Sequence, residues 1–106
     1  MFKLMEFCGD DIRLDEKNIS ERISRECRRS GLRPEGVAAV GDALTVICSS
    51  NSTAGCYQYR LSPLAEDSKD ALHAELRCRY DYGFRTVGAF QLADGIWLLT
   101  EKEEDF

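Results

Sequence analysis

The chain has one histidine, one tryptophan and two prolines in 106 residues. A single histidine, His73, leaves no His–His or Cys–His pair to hold a metal. It also leaves only one imidazole to act as a base. The five cysteines (Cys8, Cys27, Cys48, Cys56 and Cys78) are all at least eight residues apart, so there is no C-x-x-C motif. This spacing supports neither a zinc site nor a redox pair. No serine sits in a G-x-S-x-G context. No apolar run approaches the length of a membrane span, and residues 1–6 carry no apolar leader region. Positive charge is also short: 14 Lys and Arg stand against 19 Asp and Glu, a net charge of −5. Binding to nucleic acid or to an anionic membrane needs a basic face, and this balance argues against both.

What remains describes a soluble, cytoplasmic chain with reduced thiols packed as small core residues and no bound metal or cofactor. At 43% apolar and 31% charged, 106 residues suffice for one domain with one modest core.

The strongest positive signal is an internal repeat at a spacing of 52. Gly31-Leu32-Arg33-x-x-Gly36 returns as Gly83-Phe84-Arg85-x-x-Gly88. Asp15, Lys17, Arg25 and Asp42 return as Asp67, Lys69, Arg77 and Asp94, and apolar positions from Phe7/Tyr59 to Ile47/Leu99 follow in register. The identities cluster where elements stop and turn, which marks a structural repeat. Residues 1–106 read as a single domain made of pseudo-repeats 1–50 and 56–101, joined by a polar connector at 49–55.

In the first repeat, residues 2–8 read as a strand ended by Gly9-Asp10-Asp11. Asn18 and Glu21 have capping-box spacing, and Ile19, Ile23 and Cys27 form a thin helical stripe that stops at Gly31. Two further strands, 36–40 and 44–48, flank a Gly41-Asp42-Ala43 turn. In the second repeat, a strand over 56–61 carries Tyr57 and Tyr59. Ser62-Pro63 reads as a helix start, and Ala71, Leu72, Leu76 and Tyr80 as that helix's stripe. Strands 87–92 and 96–100 then form a hairpin across Ala93-Asp94-Gly95, followed by a frayed acidic tail at 101–105. The order is β-α-β-β, twice. It predicts an α+β fold: a single antiparallel sheet of about six strands with two helices on one face. At the level of element order this resembles the gyrase-inhibitor-like effector-binding domains. That resemblance implies a cleft between the repeats for a small apolar ligand.

One strand breaks the simple alternation. Ile96 and Leu98 oppose Trp97 and Leu99, so both of its faces are apolar, and Ile47 extends the same surplus. The surplus points to a surface that binds. Trp97, Leu99, Phe90 and Ile47 are the candidate residues for a homodimer contact, a protein partner or a small apolar ligand. Two alternatives stand beside it. A small enzyme would use His73 and the acidic loop residues Asp10, Asp11, Asp15 and Glu16. A weak nucleic-acid binder would use Arg22, Arg25 and Arg29, with Arg28 and Arg33 nearby. Interleaved Glu21 and Glu26 make that basic stripe better suited to a salt-bridged solvated face. Arg33 and Arg85 read as residues that hydrogen-bond the preceding helix ends. The functional alternative is a pseudo-symmetric anion clamp.

Overall fold

The computed structural model describes residues 2–53 and 55–104. The architecture is α+β with six antiparallel strands, as the repeat predicts, but the strands divide into two sheets. The elements are β1 (Phe2–Cys8), α1 (Gly9–Leu14), α2 (Glu16–Ser30), β2 (Leu32–Ala39), β3 (Ala43–Ser50), β4 (Tyr57–Pro63), α3 (Lys69–Asp81), β5 (Arg85–Leu92) and β6 (Gly95–Glu103). The first half forms a sheet ordered β1-β3-β2, and the second forms one ordered β4-β6-β5. β2 and β5 pack side by side where the halves meet. They touch through side chains: a methyl group built on Gly88 would lie 2.7 Å from Cγ2 of Val37.

The repeated signature accounts for this geometry. Gly31 and Gly83 take positive φ (64° and 85°) just past α2 and α3, a conformation that costs other residues a Cβ clash. Gly36 and Gly88 sit where the β2–β3 and β5–β6 registers shift, between Pro34 and Gly36 and between Thr86 and Gly88. Each shift leaves one extra residue on the bulged strand, Glu35 or Val87, and bulges bend strands. Bent in this way, β2 and β5 meet edge against edge. Their inner faces close over one core that runs through Met5, Phe7, Leu44 and Val46 to Leu61, Phe90, Trp97 and Leu99.

The helices differ from the sequence expectation in number and placement. Residues 9–14 form a short helix. Asp10 and Asp11 lie in its first turn, where carboxylates favour helix starts, and Ile12 is fully buried. α2 is capped by Asp15, whose side chain accepts from the Asn18 backbone N–H, and not by Asn18 itself. α3 begins at Lys69 under a Ser68 cap, not at Pro63, because β4 continues through Ser62 and Pro63. The helices also do not share a face. α2 lies against the core through Ile19, Ile23 and Cys27. α3 buries no residue completely and contacts β5. Beyond α3, the Phe84 ring lies 5.5 Å from Lys102 Nζ, on the sheet face that also carries Leu98 and Thr100. Tyr80, placed on the buried stripe by its spacing, is 78% exposed.

The seam between β2 and β5 distinguishes the two bulge glycines. Gly88→Ala meets Val37, so it destabilises the fold by about 1–3 kcal/mol through overpacking. Gly36→Ala meets open space and is neutral or stabilising by up to about 1 kcal/mol. Urea denaturation of the two variants measures this, and equal effects would show that the seam is looser than its geometry.

Candidate interaction surface

Two sheets of three strands have four outer edges. Two of them, β2 and β5, cover each other. The third, β4, is sealed by α2. The Ser20 hydroxyl accepts from the Leu61 backbone N–H at 3.0 Å, and the Ser24 hydroxyl accepts from the Tyr59 N–H at 2.9 Å. Each serine in turn donates to the carbonyl four residues back in α2. A strand's unpaired amides are thereby satisfied by a helix surface. The fourth edge is β1. It pairs with β3 along its whole length on one side. Among the described residues, nothing hydrogen-bonds its backbone on the other.

Around that edge lie two different surfaces. On the outer face of the first sheet, Phe2 is 76% exposed and Leu4 57% exposed. Leu4 stands opposite Ile47 in the ladder, so the three make one apolar patch with half-buried Ile47 at its inner end. On the inner face, β1 and α2 enclose a groove of about 420 Å³ lined by Lys3, Met5, Glu6, Phe7, Arg22, Arg25, Glu26 and Arg29. Met5 and Phe7 are its buried apolar floor. Lys3 pairs with Glu26 at 2.7 Å, and Glu26 also pairs with Arg29. The Arg22 guanidinium lies over the Phe7 ring. Lys3 first, then the Ser30 hydroxyl, which donates to the same carboxylate, and Arg29 hold the Glu26 carboxyl down at about 2.

Trp97, Leu99 and Phe90 lie elsewhere. They are 4%, 0% and 5% exposed and belong to the central core, so of the four sequence candidates only Ile47 reaches a surface patch. The apolar surplus on β6 is absorbed internally. Trp97 and Leu99 face the core, while Leu98 is fully buried on the opposite face. Phe2 and Leu4, at the open edge, were legible as apolar residues of a strand. The sequence held no sign that the strand would be an edge.

The arginines of the repeat do not bind helix ends. Arg33 and Arg85 converge on Glu101, at 2.8 Å and 3.0 Å, and the Tyr59 hydroxyl donates to the same carboxylate at 2.7 Å. Glu101 is 2% exposed and lies within β6, not in a frayed tail. The anion clamp therefore exists, and its anion is the chain's own. Burial alone would push the Glu101 pKa up, but Arg33, Tyr59 and Arg85 outweigh it and hold the pKa below the ordinary carboxylate value. Burial and the Glu101 carboxylate together raise the Tyr59 hydroxyl. Arg33 also lies 4.3 Å from the Tyr57 ring. At the other end of the seam the ratio inverts, with one arginine holding two repeat-related turn aspartates. Arg13 reaches Asp42 and Asp94 together with Asp10. Arg13, then the Ala93 backbone N–H, lowers the Asp42 pKa to about 2. A groove between the halves is lined by Arg33, Pro34, Glu35, Ser49, Ser50, Ser52 and Arg85, so it is polar and does not match an apolar cleft.

The remaining candidates stay apart. His73 is exposed on α3. Among the described residues, no three His, Cys, Asp or Glu side chains converge as a cation site. Of the helical arginines, Arg28 pairs with Glu104 and Arg29 with Glu26, so part of the basic stripe is already neutralised. Cys27 and Cys48 fill the core, whereas Cys8 and Cys78 are exposed. No described helix is long and apolar enough to cross a membrane. No protein-family model, curated protein or solved structure matches the chain.

Two outcomes follow from the charge nodes. Glu101→Ala strands Arg33 and Tyr59 in a largely buried site and costs about 2–4 kcal/mol. Arg85→Ala, whose side chain is 58% exposed, costs less than about 1 kcal/mol. Denaturant titration of both variants tests the order. Stability also depends on pH in a defined direction. Asp42 and Glu26 ordinarily titrate at 3.8 and 4.5 and lie near 2 in the folded chain, and Glu101 is shifted the same way. A depressed carboxylate stabilises the fold above its ordinary pKa, and that contribution is lost as pH falls through the folded value. The melting temperature should therefore drop between about pH 4.5 and pH 2. A flat profile there would mean that the carboxylates gain nothing from folding.

Proposed function

We propose that this chain is a non-catalytic interaction module that recognises an extended segment of a partner protein along β1. The observation that carries this reading is the open β1 edge beside exposed Phe2 and Leu4 and half-buried Ile47. An open strand edge is a template for an incoming strand: main-chain hydrogen bonds supply affinity, and flanking side chains supply selectivity. Exposed contiguous apolar residues mark interaction sites, and here they lie next to such an edge. The buried thiols Cys27 and Cys48 are compatible with a reducing cytoplasm as the place where it acts.

Selection from a displayed library of random peptides tests the reading. Sequences retained by the protein should lose at least tenfold in affinity against Leu4→Asp, with its circular dichroism unchanged. Ligands indifferent to Leu4→Asp, or no ligands at all, would overturn it.

A further inference from the structure

The chemistry of the strand that β1 accepts can be read from the two surfaces flanking it. We propose that β1 takes up a peptide strand alternating acidic and apolar side chains, with the acidic set facing the β1–α2 groove and the apolar set continuing the Phe2–Leu4–Ile47 patch. This rests on the strand-recognition reading above.

The argument begins with the pleat. Side chains of an added strand alternate between the two faces of the first sheet. The inner face is where Lys3, Met5 and Phe7 point, because they stand opposite Cys48, Val46 and Leu44, all buried. A side chain on that face enters the groove. Four cations line it, Lys3, Arg22, Arg25 and Arg29, against the two carboxylates of Glu6 and Glu26. Lys3 and Arg29 share Glu26. Among the described residues, Arg22 and Arg25 have no ion-pair partner. The groove is thus a local positive excess on a chain whose net charge is −5, and a carboxylate there would complete it. The outer face offers the opposite environment. Phe2 and Leu4 bury little of their surface, and a neighbouring strand's apolar side chains would pair with them at cross-strand distance.

The open edge is specific to β1. α2 seals β4 through Ser20 and Ser24. The positions 52 residues on, in α3, are Leu72 and Leu76, which cannot accept a strand amide. α3 packs against β5. The groove spans β1 from Lys3 to Phe7, room for an incoming strand of about five residues at roughly 3.3 Å each.

The experiment uses a fluorescently labelled eight-residue peptide alternating Glu and Val, with binding followed by anisotropy. Three peptide controls leave the protein untouched. A block peptide of the same composition, four Glu then four Val, should bind at least tenfold more weakly, as should an alternating Lys/Val peptide. N-methylation of every second amide in one phase should abolish binding, and methylation in the other phase should leave it within threefold, because only one set of amides faces β1. On the protein side, Arg22→Glu with Arg25→Glu should weaken binding at least tenfold with the circular dichroism spectrum unchanged. Equal binding of the block or Lys/Val peptide, or insensitivity to the phase of methylation, would overturn the proposal. So would sedimentation of the free protein as a dimer through β1. If the Glu/Val peptide fails while library-selected ligands still depend on Leu4, the acidic pattern is wrong and strand recognition stands. If neither binds, both readings fall.

Discussion

A buried carboxylate governs how the two halves of this chain meet. Glu101 is almost fully out of water, and an unpaired carboxylate there would be far too costly to keep ionised. It remains charged because Arg33 crosses from the first half and Arg85 and Tyr59 reach it within the second. The arrangement fixes more than one ion pair. Arg33 and Arg85 occupy equivalent places at the starts of β2 and β5, so holding both on one anion sets how far those strands can slide. At the far ends of the same strands, the turn aspartates Asp42 and Asp94 meet on Arg13. The seam is pinned at both ends by one charge shared between two repeat-related partners. Each single charge is absent from the other repeat: Ser49 stands where Glu101 would be, and Ala65 where Arg13 would be. The approximate symmetry of the fold therefore depends on residues that break it.

Much of this was legible in the sequence, and the reasons are local. Gly31 and Gly83 mark helix stops because only the left-handed backbone lets the chain turn there. The hairpins around Asp42 and Asp94 follow from turn chemistry and from apolar runs of strand length. Identity at Arg33/Arg85 and Asp42/Asp94 was visible, but their partners were not. Glu101 lies 68 residues from Arg33, and Arg13 lies 81 from Asp94, with no periodicity linking them. The stretch at 101–105, acidic apart from Lys102, looks like a solvated tail until a strand register places Glu101 under two arginines. Two sheets rather than one also escaped a reading by pattern, because the bulges at Gly36 and Gly88 bend each strand and shift its alternation by one residue, which a strict period of two does not reveal.

The surface residues failed for a related reason. Along β6 both faces are apolar, and a period of two cannot say which faces the core. Trp97 and Leu99 turn inward with Phe90, while Leu98 is buried on the other side. Aromatic content therefore pointed to the centre of the protein rather than to its surface. On β1, by contrast, Phe2 and Leu4 alternate with Lys3 and Met5 in a way that fits a half-buried strand. They stay exposed because no described residue covers the outer face of β1 at its edge.

The halves also differ in what their helices offer a strand edge. Serine hydroxyls at positions 20 and 24 donate to their own helix and still accept from β4, so α2 can lie along a strand edge without leaving amides unsatisfied. Leucines at 72 and 76 lack any acceptor for such amides. Among the described residues, the corresponding edge, β1, has no such partner. Open edges invite indiscriminate pairing unless charge restricts what can join. Here Lys3 and Glu6 on β1, together with the arginine wall of α2, supply that restriction. An incoming strand without carboxylates facing the groove would cover Arg22 and Arg25 and strip their hydration with no counter-charge in return.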